Sequence, residues 1–423
     1  MSHTLQLLLL LAVVVTAAKL AGAAANRIGQ PAVFGEILIG LLLGPTLLDI
    51  MNWPIFHAAP AIAGHGVEPG SLAATIRDLA EIGVILLMFI AGAETDVDEM
   101  RRVGRVAFWA AFGGVALPMI GGALVAAAFG YPPLWQGIFI GTILTATSVS
   151  ISAQTLIELG ALKSKEGSTI LGAAVIDDVM GIVVLSIVVA LVRTGGAADI
   201  GEIAFLVLRI GLFFGGAILV GRALPAIARF AERLEVSQGL LGVVLAIAFV
   251  YAWAAEYLGG VAAITGSYLA GLILGQTRYK KQIDEAIHPL TYSVFVPVFF
   301  ISIGLHANGR DLGARAAFAI ALIVVAIVTK AIGCGVLARL AGFDTKASIR
   351  VGAGMISRGE VGLIVAGYGL TNGLIDRDVF SASVVMVLVT TMVTPPLLKA
   401  TFPARRGRKV VIEETVAGPP EEA

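Results

Sequence analysis

Two neighbouring carboxylates, Asp177 and Asp178, lie in the apolar run STILGAAVIDDVMGIVVLSIVVALV, about ten residues from either end. In a bilayer that is the midplane, where an ionisable side chain costs about 2.5 to 3.5 kcal/mol on insertion scales and so requires a partner, a wet cavity or a task. Consecutive helix positions point about 100° apart, so the two cannot serve one contact equally; one can pair while the other faces water. A structural polar network needs only one buried carboxylate, and two side by side favour a site whose charge changes.

Lys330 is the second deep charge. In AFAIALIVVAIVTKAIGCGVLARL it has more than ten apolar residues before it and eight after it, too far to snorkel out. An ammonium at that depth is neutral or paired with a carboxylate, and the membrane aspartates are its natural partners. Arg358 and Glu360 fall in a glycine-rich polar break of IRVGAGMISRGEVGLIVAGYGL. There a supporting structural role is favoured, because a break frees backbone groups that must be satisfied.

A second break is written in LTATSVSISAQTL, with Thr145, Thr147, Ser148, Ser150, Ser152 and Gln154 in mid-run. One hydroxyl in a helix bonds back to its own backbone and passes unnoticed. Six polar residues in ten predict an unwound, hydrated segment. Glu36 and Glu81, in other apolar runs, and Asp49, Glu94, Asp96 and Asp98, at ends and loops, read as packing or surface charges. All five histidines, at 3, 57, 65, 288 and 306, avoid the midplane, which leaves no metal ligand or histidine relay there. The single Cys334 forms no intramolecular disulfide and reads as a small packing residue.

These residues need a frame, and the composition supplies a membrane one. Of 423 residues 58% are hydrophobic and 14% charged, with a mean hydropathy of +0.93. Soluble chains carry roughly 25% charged residues, so an ordinary cytosolic enzyme is excluded. Lys plus Arg equals Asp plus Glu at 29 each, which leaves no net field to recruit nucleic acid. Thirteen runs can each span a hydrocarbon core of about 30 Å. The first reads as a retained span rather than a signal peptide, since no Lys or Arg precedes it. Alternate loops and the tail gather nineteen Lys and Arg against five on the other side, which places the N-terminus outside and the C-terminus in the cytoplasm.

The two polar breaks lie seven spans apart, and an odd offset inverts their orientation. Broken helices related in this way cross at the midplane in transporters. The fold predicted is therefore an all-α polytopic membrane protein of thirteen transmembrane helices, with inverted-topology repeats and two crossed, broken helices. The repeat is inferred from pattern placement, the two halves showing little direct identity. Residues 1–100 are expected to form scaffold and dimerisation helices, 101–195 core helices, 196–236 a linker helix, 237–310 further scaffold, 311–402 further core, and 403–423 a short cytoplasmic tail.

Four segments carry a resemblance: PAVFGEILIGLLLGP at 31–45, LAEIGVILLMFIAGAETD at 79–96, TATSVSISAQTLIELG at 145–160 with AAVIDDVMGIVVL at 173–185, and MISRGEVGLIVA at 355–366. Together they resemble the monovalent cation:proton antiporter-2 family, and the paired aspartates with the lysine are similar to its electrogenic NapA-type sodium/proton antiporters. The resemblance implies that Asp178 binds the ion and the proton, that Asp177 pairs with Lys330, and that Ser148, beside Thr147, supplies a sodium-site hydroxyl. It also implies a homodimer in the inner cell membrane and no cofactor. Related potassium-efflux members carry a nucleotide-binding domain after the last span; here about twenty residues follow, which disfavours ligand gating.

The expected activity is exchange of a monovalent cation, sodium first, for protons by alternating access, with no enzyme chemistry. Potassium/proton exchange and sodium-coupled uptake of an organic solute are the alternatives within transport. An intramembrane aspartyl protease also needs two membrane carboxylates, but on two helices sharing a water, and no G-x-G-D run is present. A passive channel would lack strict exchange.

Overall fold

The computed structural model describes residues 2–28, 30–56, 71–132, 136–193, 200–233, 236–305 and 316–402, and these form helices, turns and loops without a strand. The helices are α1 (His3–Arg27), α2 (Ala32–Leu43), α3 (Leu72–Glu94), α4 (Val97–Ala128), α5 (Ile138–Thr145), α6 (Val149–Glu158), α7 (Lys165–Arg193), α8 (Ile200–Gly221) and α9 (Leu224–Glu232). They continue with α10 (Gly239–Trp253), α11 (Ala263–Leu274), α12 (Lys280–Leu290), α13 (Val296–Leu305), α14 (Ala316–Leu340), α15 (Thr345–Gly354), α16 (Glu360–Thr371) and α17 (Arg377–Thr401). Wider π turns extend α10 through Gly259 and join α12 to α13.

Among the described residues the apolar runs fall on single helices or on interrupted pairs. Among the described residues, nine helical stretches are long and apolar enough to cross a membrane, and α2, α11 and residues 361–370 are shorter apolar helices. α3 starts at Leu72, two turns before the apolar run expected from residue 79, because Arg77 and Asp78 end that run in the sequence while Ser71 caps the helix through Ala74 N–H. Side chains also set the starts of α4, α15 and α17, where Asp96, Asp344 and Asp376 accept first-turn N–H groups. The small α9 was not legible: its segment reads as an arginine-bearing loop. His57, His65, His306 and the tail 403–423 lie outside the described residues.

α4 to α7 pack chiefly with α14 to α17, and α1 to α3 with α10 to α13. A repeated pattern of close approach is written in the contacts of both groups. A side chain at Gly113 of α4 would strike the Gly333 carbonyl of α14, and one at Gly333 would strike the Gly113 carbonyl. In the other group, GEILIGLLLGPT at 35–46 and GSYLAGLILGQT at 266–277 share glycines at the same spacing. Gly35 lies on Ala21 of α1 and Gly40 on Ile301 of α13, while Gly266 lies on Tyr251 of α10 and Gly271 on Phe89 of α3. Exchanging α1 with α10, α2 with α11 and α13 with α3 maps one contact set onto the other. Backbones this close leave no room for a Cβ, and small residues hold membrane helices together by that approach.

Candidate functional site

The chain leaves helical form at two places that meet. Ala146, Thr147 and Ser148 separate α5 from α6, and residues 355–359 separate α15 from α16. Ser148 N–H donates to the Ser357 carbonyl at 2.9 Å, and Ser357 Oγ donates back to the Ser148 carbonyl at 2.7 Å. Ser152 Oγ donates to the Gly354 carbonyl and lies 3.3 Å from Ser357 Oγ. Each break thus satisfies backbone groups that the other exposes, which is what irregular backbone inside a membrane protein requires.

Arg358 is fully buried in this crossing. Its guanidinium donates to the carbonyls of Leu144, at 3.0 Å, and of Ile356. A cation at the C-terminal end of α5 also meets the negative pole of that half-helix. Thr391 donates to the Arg358 carbonyl, and Arg358 N–H reaches Thr390 Oγ1 at 3.3 Å, so α17 holds the break from behind. Glu360 begins α16, and its side chain lies outside the described set.

Lys330, on α14, has no exposed surface. Its Nζ is 3.0 and 3.2 Å from the two oxygens of Asp177, 2.8 Å from the Gly114 carbonyl and 2.6 Å from the Thr145 carbonyl. Gly114 is required there, since a Cβ would stand 3.3 Å from Nζ and would collide with Cys334 Sγ. The ammonium is therefore held by one carboxylate and two backbone dipoles, and the carbonyl of Thr145 is free to accept because α5 stops at that residue.

Asp178, next along α7, is 9% exposed and turns away from Lys330 towards α11, where Thr265 Oγ1 lies 3.5 Å from its Oδ2. The hydroxyls of Thr147, Ser148 and Ser150 are buried and have no hydrogen-bond partner among the described residues. Thr147 and Ser148 lie in the unwound segment and Ser150 in the first turn of α6, and all three are oxygen ligands of the kind a hard cation takes.

Sequence reasoning missed Thr265, Ser357, Thr390 and Thr391 as members of the network, because a single hydroxyl in a run carries no signal of what it faces. Glu36, read as a packing or surface charge, lines a polar cavity of about 450 Å³ with Lys19, Gln154, Glu158, His288 and Lys399. In that cavity wall Glu158 Oε2 accepts Ala32 N–H at 2.7 Å and ties α6 to the start of α2.

Residues 10–402 match the family described as sodium/hydrogen exchanger, transmembrane. The chain is 41% identical over 398 residues to the Na(+)/H(+)-K(+) antiporter GerN of Bacillus cereus, covering 93% of this chain and 96% of GerN. It is 34% identical over 390 residues to a Na(+)/H(+) antiporter of Enterococcus hirae, covering 92% and 96%. The structure of the sodium proton antiporter MjNhaP1 of Methanocaldococcus jannaschii at pH 8 superposes with a TM-score of 0.67 over 95% of this chain and 97% of that one, at 17% identity, a likeness of fold. With a family match across nearly the whole membrane portion and relatives matched almost end to end, this multi-pass membrane chain belongs to the transmembrane sodium/hydrogen exchanger family, a family of transporters.

Proposed function

We propose that this protein exchanges a monovalent cation, sodium in the first place, for protons by alternating access. The observation that carries this reading is the pair of consecutive carboxylates beside two crossed breaks, one bound to a buried lysine and the other facing a different group of helices. Asp178 is the exchanging carboxylate: neutral it holds a proton, ionised it attracts a cation, and the two occupants exclude each other. Thr147 and Ser148 offer hydroxyl oxygens from the break. Asp177 and Lys330 form a unit that opens as the cation binds, and its protons belong to the pair rather than to either residue.

Thirteen crossings, with the N-terminus outside and the C-terminus in the cytoplasm of the cell membrane, fit the loop charges. α4 to α7 and α14 to α17 form the moving core. The other helices form a scaffold that pairs with a second copy. Relatives are named for sodium/proton exchange, and GerN also for potassium, so potassium is the second cation to try. The test is cation-driven pH dequenching in proteoliposomes with sodium, lithium and potassium compared. Proton movement that depends on sodium supports the reading; proton movement indifferent to every added cation rejects it.

A further inference from the structure

The first two turns of α11 carry Thr265, Gly266 and Ser267, and each faces a different neighbour. Ser267 Oγ donates to the Ile85 carbonyl of α3 at 2.7 Å, and Gly266 lies against the Tyr251 carbonyl of α10 so closely that no Cβ would fit. These two contacts fix the rotation of α11 about its axis. The third residue is thereby aimed at α7, where Thr265, 2% exposed, presents its hydroxyl to Asp178.

The spacing of that pair is informative. A hydroxyl donating to a carboxylate normally closes to about 2.5 to 2.7 Å, whereas Thr265 Oγ1 stands 3.5 Å from Asp178 Oδ2. Two oxygens at right angles around one ion, each at about 2.4 Å as for a calcium-sized cation, stand about 3.4 Å apart. Sodium is nearly the same size as calcium. The hydroxyl also has the right chemistry, since rotation about its C–O bond turns a lone pair where its proton was.

We propose that Thr265 Oγ1 and Asp178 Oδ2 are two ligands of the transported cation, so that the binding site straddles α7 and α11. This rests on the reading of Asp178 as the exchanging carboxylate, and adds that one ligand belongs to the scaffold. The cation is then held most tightly when α7 stands beside α11 and loses a ligand when the core moves. A potassium ion would force the two oxygens further apart, so this edge of the site favours sodium.

The experiment uses the full chain in proteoliposomes, with Thr265→Val, Thr265→Ser and Asp178→Asn beside wild type. Half-saturating sodium and lithium are measured on each side of the membrane, and melting is followed in detergent with and without sodium. Thr265→Val is expected to raise half-saturating sodium about tenfold, equivalent to about 1.4 kcal/mol, at near-normal maximal rate, to change the lithium-to-sodium ratio, and to weaken the rise in melting temperature that sodium gives wild type. Thr265→Ser should retain the wild-type values. A Thr265→Val protein with unchanged half-saturation and unchanged sodium-dependent melting overturns the proposal, as does a Ser variant as impaired as Val. Should Val not fold, Thr265→Ala takes its place under the same criteria. Exchange surviving in Asp178→Asn would instead sink the assignment of the exchanging carboxylate, so the two failures are separable.

Discussion

Asp177 and Asp178 are adjacent in the chain and are turned to different helices: Asp177 meets Lys330 Nζ of α14 at 3.0 Å, and Asp178 meets Thr265 of α11 at 3.5 Å. The 100° step between consecutive helix residues accomplishes this division without a bend in α7. One acid faces an internal cation and the other faces a hydroxyl on a different helix, a division on which the proposed exchange at Asp178 rests.

Asp178→Asn should abolish sodium-driven proton movement while the protein still folds and elutes as wild type. The amide carries neither the exchangeable proton nor the charge that sodium needs. Sustained flux through a well-folded Asn variant would falsify the role given to Asp178.

Lys330 and Asp177 should be coupled in stability. Removing one partner of a buried pair costs about 3 to 5 kcal/mol, because the other charge is left without its counterpart. Removing both should recover part of that loss, with a coupling energy of about 0.5 to 3 kcal/mol. Thermal or urea melts of Lys330→Gln, Asp177→Asn and the double variant supply the cycle; strictly additive losses would count against the pair.

Exchange should respond to voltage. If the Lys330 and Asp177 unit takes part, each cycle moves one net charge, and 100 mV contributes about 2.3 kcal/mol per charge. A potassium diffusion potential set by valinomycin should change the rate for wild type. Lys330→Gln, if it still exchanges, should be indifferent to that potential. Wild-type exchange insensitive to the imposed potential would place the chain among electroneutral exchangers.

Asp344 caps α15 outside the spans, and the N–H of Ala347, then Lys165, hold its carboxyl at about 2, below its ordinary 3.8. Lowered on folding, this group stabilises the protein above about 3.8, and the contribution fades as pH falls towards 2. Melts of Asp344→Asn should therefore lie below wild type at neutral pH and converge with it near pH 2, while the pH dependence of exchange between 6 and 9 stays unchanged. Equal melting of variant and wild type at neutral pH, or a gap that widens towards pH 2, would contradict that sign.

The deep charges were legible because their cost at the midplane is large and few residues bear it; Asp177, Asp178, Lys330 and Arg358 stand out on that ground alone. The two breaks were legible from density, six polar residues in ten at Thr145–Gln154 and Gly with Arg and Glu at 358–360. Hidden from the sequence was everything that depends on which side a small residue faces. Thr265 looks like any threonine in a run, and Gly114 like any of 51 glycines, until Lys330 is seen against it. The carbonyls that hold Lys330 carry no residue-type signal at all. Even the repeat of glycines at 35–46 and 266–277 gains meaning only from the helices that approach them.

The exchange of bonds between Ser148 and Ser357 makes neither half of the chain self-sufficient. A fragment carrying only α4 to α7 would expose the N–H of Ser148 and the carbonyls of Leu144 and Thr145 to hydrocarbon, and one carrying only α14 to α17 would strand Lys330 and Arg358. The two groups of helices are thus bound into one cooperative unit, because each meets backbone groups and charges that the other leaves open.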